Sequence, residues 1–194
     1  LNESLNLQDN IFGHCNPKSS TGRLDIFCRS IVDYAEEYEK IPKNYKGEMF
    51  IEITSRSFDV AFTMNNCLNQ IRLVRNKHNY LSDNQILDIT KKQKIIKKTN
   101  NIKIDNGIKL SVDLSNSKII AYEAKKNAPI LNFSKSNFHK INDFWNVIIN
   151  KNKKLLIEKN KFYILKSKEK VIIPKNFAGE MIPYDTGIGD FRAH

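Results

Sequence analysis

Apolar positions along most of this chain recur at a period of two. Met49, Ile51 and Ile53 alternate with Phe50, Glu52 and Thr54, so each set lines one face of an extended segment. Phe58, Val60 and Phe62 repeat the period, Asn65-Asn66 supplies a turn, and Leu68 to Val74 forms the next extended run. Consecutive antiparallel strands are expected. The stretch from Ser82 to Asn106 breaks the pattern: Ser82 can cap a helix, Gln85 takes the capping-box position, and Ile86, Leu87 and Ile89 form its apolar side. A lysine run, Lys91-Lys92-Gln93-Lys94-Ile95-Ile96-Lys97-Lys98, and a polar patch ending at Asn106-Gly107 follow. Strand patterns resume at Lys109 to Leu114, Lys118 to Tyr122, Pro129 to Phe133, Lys161 to Leu165 and Lys170 to Ile173, with a short helix expected around Asp143 to Ile149. No short-period repeat is visible. Many short strands, few glycines and one connector predict a mainly-β architecture of sandwich or jelly-roll type.

With 40% hydrophobic and 27% charged residues in 194, the composition is that of a soluble globular protein. Apolar runs are short, as in Val147-Ile148-Ile149, so no membrane-spanning helix is expected. The polar N-terminal stretch has no signal-peptide pattern, and a cytoplasmic location is expected. The opening Leu1 and the closing Gly189-Asp190-Phe191-Arg192 stretch before His194 are read as cuts through structure at both ends. A net charge of +11 attracts polyanions. Lys, Asn and Ile are abundant throughout, however, as A+T-rich coding would produce, and no recognition motif accompanies the charge. Nucleic acid is therefore not the expected partner. Cys15, Cys28 and Cys67 are too scattered for a disulfide framework or a metal cluster and read as buried thiols in a reducing compartment.

The stretch richest in chemistry is Lys18-Ser19-Ser20-Thr21-Gly22-Arg23. Three hydroxyls, a glycine and two cations in six residues can surround a phosphate chain: hydroxyls and amides donate, and Arg23 can bind an oxyanion bidentately. The glycine spacing and the Gly-Lys-Ser/Thr ending of a Walker loop are absent. Downstream, Ile41-Pro42-Lys43-Asn44-Tyr45-Lys46-Gly47 leads into the strand bearing Glu52, five residues after Gly47.

A Ser-Ser-x-Gly-Arg loop, then Tyr-x-Gly, then a strand Glu at this spacing, resembles the dCTP deaminase branch of the dUTPase-like superfamily. The strand Leu68-Asn69-Gln70-Ile71-Arg72-Leu73 resembles the strand that follows there. The likeness extends to the double-length bacterial form. Asn16 to Asp25 matches its first unit. Gly107 to Leu114, Asp143-Phe144-Trp145, Phe162-Tyr163-Ile164-Leu165 and Phe177-Ala178-Gly179-Glu180-Met181 match its second. The resemblance implies two tandem dUTPase-like units, of the distorted jelly-roll or β-clip kind with short helices. Residues 1–80 would be the C-terminal part of the first unit, 81–106 a connector, and 107–194 the N-terminal part of the second. It implies deamination of dCTP to dUTP and ammonia, without zinc and with magnesium only as companion of the triphosphate. Ser19 and Arg23 match positions holding substrate and attacking water, Lys18 a phosphate contact, and Glu52 the general base. Substrate binding falls to Lys18, Ser19, Ser20, Thr21, Gly22, Arg23 and Gln70. Glu52 would work best with a pKa raised toward neutrality, and Phe50 could supply an apolar wall.

The residues agree on zinc: none of His14, His78, His139 and His194 is followed two positions on by Glu, and Cys-x-x-Cys is absent. Two departures stand out. Pro42 occupies the place of the superfamily's usual aspartate, so diphosphate-releasing hydrolysis is unsupported. Asp185-Thr186-Gly187-Ile188-Gly189-Asp190 stands where a second Ser-Ser-x-Gly-Arg loop would be, with Asp190 replacing the arginine. Family sites form between neighbouring units of a threefold assembly, so a homo-oligomer is implied and weak or absent activity is expected of the isolated chain. Two other readings remain: a non-catalytic nucleotide-binding remnant and a basic nucleic-acid-binding protein.

Overall fold

The computed structural model describes residues 1–97, 102–114, 118–149 and 152–182. Its first part carries β1 (Ser4–Asn6), β2 (Ile11–Pro17), the one-turn helix α1 (Ser19–Gly22), β3 (Ile26–Val32), β4 (Lys40–Ile41), β5 (Lys46–Ser55), β6 (Val60–Ala61) and β7 (Asn69–Arg75). Helix α2 (Asp83–Lys92) leads on to β8 (Ile96–Lys97), β9 (Ile119–Ala124), β10 (Leu131–Asn132), helix α3 (Ile141–Phe144), β11 (Trp145–Ile149), β12 (Tyr163–Leu165) and β13 (Lys170–Val171). The architecture is mainly β, as the alternating pattern predicts. Among the described residues it is assembled from several small sheets that do not close into a barrel.

Two three-stranded sheets, β1-β5-β3 and β4-β2-β7, make the first half. The antiparallel register of β3 on β5 pairs Cys28 with Ile53, Ser30 with Ile51 and Val32 with Met49 on the inner face. Because side chains alternate, Phe27, Arg29 and Ile31 share the outer face with Thr54, Glu52 and Phe50. The inner face meets the β2 sheet over Leu7, Cys15, Val32, Ile41, Tyr45 and Met49, while Ile26, Cys28 and Leu68 form an adjoining cluster. A bond from Asn69 Nδ2 to Ser30 Oγ, 2.7 Å, ties β7 to β3 across this core. Cys15 and Cys28 are free thiols within it, and burial pushes Cys28 up to about 11. Cys67 corrects the expectation of three buried thiols. It is exposed, just beyond the Asn65-Asn66 turn where the chain runs over the surface.

The second half centres on the antiparallel sheet β11-β9-β12. Its core of Phe58, Ala124, Leu131 and Phe144 borrows Phe58 from the first half. That ring lies edge-on to Phe144 and Trp145, with centroids 5.6 Å and 5.3 Å away. Beside it β6 pairs in parallel with β10, Val60 opposite Leu131. The halves therefore share both a ladder and a core.

Elements depart from the sequence pattern in several places: the segments expected as consecutive antiparallel strands, β5, β6 and β7, lie in three different sheets, with β6 parallel to β10. The helix expected around Asp143 to Ile149 is one turn at Ile141–Phe144, and Trp145–Ile149 is strand β11 paired with β9. Trp145, Val147 and Ile149 have strong β propensity, and the waiting edge of β9 decides the matter. Lys109 to Leu114 forms no strand, only a bridge from Val112 to Ser167. Within it Asp113 turns inward, 6% exposed, to an ion pair with Lys166 at 3.3 Å. Helix α2, by contrast, starts as predicted: Ser82 Oγ accepts from the Gln85 N–H, and Gln85 Oε1 accepts from the Ser82 N–H at 2.9 Å. Beyond α2, β8 pairs with β13. No helix among the described residues is long and apolar enough to cross a membrane.

Candidate active site

The Lys18–Arg23 stretch folds as the single turn α1 between β2 and β3. Lys18 is its extended N-cap, and its carbonyl accepts from the Thr21 and Gly22 N–H groups at 2.8 and 3.0 Å. The turn is pinned twice to Leu68, the residue just before β7. The Lys18 N–H donates to Leu68 O at 2.9 Å, and the Thr21 hydroxyl donates to the same carbonyl at 2.9 Å. Thr21 is fully buried and Gly22 is buried. These two hold the turn in place, and Gly22 needs no left-handed backbone to do so. Ser19, Ser20 and Arg23 face solvent and Lys18 is half-buried. Arg23 Nε donates to Ser19 O at 3.1 Å, which bends the guanidinium back over the turn. Two cations and two hydroxyls thus share one short surface segment, an arrangement suited to an oxyanion.

A cavity of about 380 Å³ opens beside the turn. Ser19 and Gln70 both line it, so the fold brings the loop and the β7 strand to one site. The antiparallel register of β2 on β7 explains why: Asn16 stands opposite Gln70, and His14 opposite Arg72. All four line the cavity, and Gly179, Glu180 and Met181 close its other side. Arg72 Nη2 lies 3.2 Å from Glu180 Oε2. Of these, His14 reads from sequence as a surface or packing residue, and Arg72 and Glu180 lie in stretches that carry the resemblance without being singled out for a role. Only the period-two rule along β7, which puts Gln70 and Arg72 on one face, points to Arg72.

His14 also borders a larger cavity, about 570 Å³, with Phe12, Pro42 and His78 among its walls. The His14 and His78 rings are 4.6 Å apart, and His78 stacks on Tyr80 at 5.1 Å. Burial, with His78 and Arg72 nearby, pulls the His14 pKa below the ordinary histidine value despite the opposing pull of Glu180. The neutral form of His14 is favoured by these surroundings. Size alone would favour this cavity, but it holds none of the hydroxyls or the arginine of the 18–23 turn, and Ser19 and Gln70 mark the smaller one.

Glu52 stands apart from both. It lies on the outer face of β5 opposite Arg29, exposed, with Phe50 two residues away on the same face and 47% exposed. Within one chain Phe50 builds no closed apolar wall around the carboxylate. Among the described residues no three His, Cys, Asp or Glu side chains gather in a way that could hold a metal. The Asp185–Asp190 stretch lies outside the described residues.

Residues 1–78 match the family model of the 2'-deoxycytidine 5'-triphosphate deaminase (DCD) N-terminal domain, and residues 82–194 match that of its C-terminal domain. Among solved structures, the chain is similar to the crystal structure of 2'-deoxycytidine 5'-triphosphate deaminase from Agrobacterium tumefaciens. The two share 34% identity and a TM-score of 0.82 over 88% of this chain. The alignment covers 50% of that protein, so this chain spans about half its length. A comparison with curated sequences found no match. The several small sheets fit the dUTPase-like β-clip fold.

Proposed function

The chain belongs to the 2'-deoxycytidine 5'-triphosphate deaminase family, and on that premise we propose that it converts dCTP and water to dUTP and ammonia. The observation that carries the proposal is the cavity in which Ser19 of the 18–23 turn and Gln70 of β7 meet; Lys18 and Arg23 are the cations of that same turn. Lys18, Ser19, Ser20 and Arg23 would hold the phosphates and orient the attacking water, and Gln70 would contact the nucleoside. Thr21 would act from beneath by keeping the turn seated on Leu68, and the Gly22 N–H would help close the turn on Lys18 O. Glu52 would take a proton from water as its oxygen attacks C4 of the cytosine, then deliver protons to the amino group that leaves as ammonia. Zinc is not required in this reading, and magnesium arrives with the triphosphate as part of the substrate.

Because Glu52 does not line the cavity of its own chain, we read the working site as shared between copies. Glu52 of one would face the 18–23 turn of another, in the threefold assembly the family resemblance implies. The division into 1–80, 81–106 and 107–194 belongs to the same reading. So does a cytoplasmic location, which the unbonded Cys15 and Cys28 support.

The test is incubation of the chain with dCTP and magnesium, following dUTP and ammonia. Glu52→Gln is expected to lower turnover by about 10²–10⁴ while leaving dCTP bound, the range of general acid–base assistance. Turnover unchanged in Glu52→Gln would remove Glu52 from the mechanism. The second reading, a nucleotide-binding unit without turnover, draws on Glu52 not being among the residues that line the cavity. It predicts dCTP binding with no ammonia release from the wild-type chain at any concentration.

A further inference from the structure

The cavity beside Ser19 has walls from two distant parts of the chain. Asn16, Ser19, Gln70 and Arg72 come from the first half, Gly179 to Met181 from beyond residue 170. Little holds that second wall. Phe177 makes a turn to Pro174 O at 3.0 Å, but Met181 is 59% and Ile182 61% exposed. Among the described residues, the polar contact joining 178–182 to β7 is the Arg72–Glu180 pair at 3.2 Å, between residues 108 apart in sequence. Arg72 stands two residues from Gln70 on the same face of β7, so the clamp sits directly beside a substrate-binding position.

We propose that Arg72 and Glu180 are positioning residues whose ion pair holds the Gly179–Met181 segment as one wall of the nucleotide cavity, so that the second half of the chain completes a site begun by the first. The inference rests on the reading of this cavity as the nucleotide site. It deepens that reading by assigning Glu180, a carboxylate beside a site for an anion, a role that needs no contact with substrate. Alone, Glu180 would repel a triphosphate. Paired with Arg72 its charge is offset, so the phosphates meet their cations at the 18–23 turn. The competing arrangement, in which Arg72 binds phosphate directly and Glu180 merely occupies it in the absence of nucleotide, predicts the opposite sign for Glu180.

The experiment is a double-mutant cycle in the full chain with Arg72→Gln, Glu180→Gln and the double variant, measuring dCTP affinity by calorimetry and steady-state kinetics. Each single change is expected to weaken dCTP binding about two- to fivefold, as for a partly exposed ion pair. The double variant should be no weaker than either single, because the interaction can be lost only once. KM should rise with kcat kept, and hydrogen exchange across 177–182 should quicken without a fall in melting temperature. Tighter dCTP binding in Glu180→Gln, additive losses, or no change in any variant would overturn the proposal. A wild-type chain that binds no dCTP overturns the nucleotide reading itself and the site role with it. The exchange measurement then reports separately whether the pair anchors the segment.

Discussion

Tyr45 folds its ring back over Gly47, and its hydroxyl, part-buried, donates to Glu48 O at 2.6 Å. A Cβ on Gly47 would lie 2.6 Å from that phenolic oxygen and 2.9 Å from the ring carbon bearing it. The Tyr-x-Gly spacing is thus a packing unit at the entrance to β5. Gly47→Ala has to shift the ring or break the bond, with an expected loss of about 1–3 kcal/mol. A lower urea midpoint at unchanged slope would register it. A midpoint equal to wild type would mean that the turn yields freely. The same scale shows what the 18–23 motif conceals. Its hydroxyls look equivalent in sequence, yet Thr21 is fully buried and donates to Leu68 O while Ser19 and Ser20 face solvent. Which hydroxyl turns inward depends on where a carbonyl 47 residues away comes to rest, and no local pattern carries that.

Elements with local causes were the most legible. Helix α2 begins at Ser82 with a complete capping box, because both partners lie within four residues and no distant group competes. None of its residues is buried, and its tertiary tie at this end is Asp83, whose carboxylate accepts from the Asn106 and Gly107 N–H groups at 2.9 Å each. Ser82→Ala should therefore weaken α2 locally by about 0.5–2 kcal/mol. Amide exchange would quicken over 83–92 while the melting temperature of the whole chain holds. A fall in the global transition would show that α2 is more deeply coupled to the fold. Strands β5 and β7 were legible from alternation alone, and β9 nearly so. The 143–149 segment was not, because a short run with apolar residues on alternate positions satisfies helix and strand alike until β9 offers its edge.

The whole molecule behaves as two halves sewn together at Phe58, β6 and β10. Phe58 belongs to the first half by sequence and to the core of the second by packing, so neither half closes its core alone. Calorimetry is expected to give one transition, and Phe58→Ala to cost about 3–5 kcal/mol through the cavity left against Phe144 and Trp145. Two separate wild-type transitions would contradict the shared core. Sequence alone sufficed for the mainly-β class, the position of α2 and the family, and it singled out the 18–23 turn and Gln70 as a candidate site. Each of these is written in residue type and short-range spacing, which survive without knowledge of the fold. Only the tertiary structure decided that Ser19 and Gln70 share a cavity, that Glu52 stands on an outer face away from it, and that Arg72 meets Glu180 across 108 residues. Those relations depend on strand register and on which sheet packs on which. Register is set by the sum of many weak contacts between distant segments, so it is settled only when the chain closes on itself.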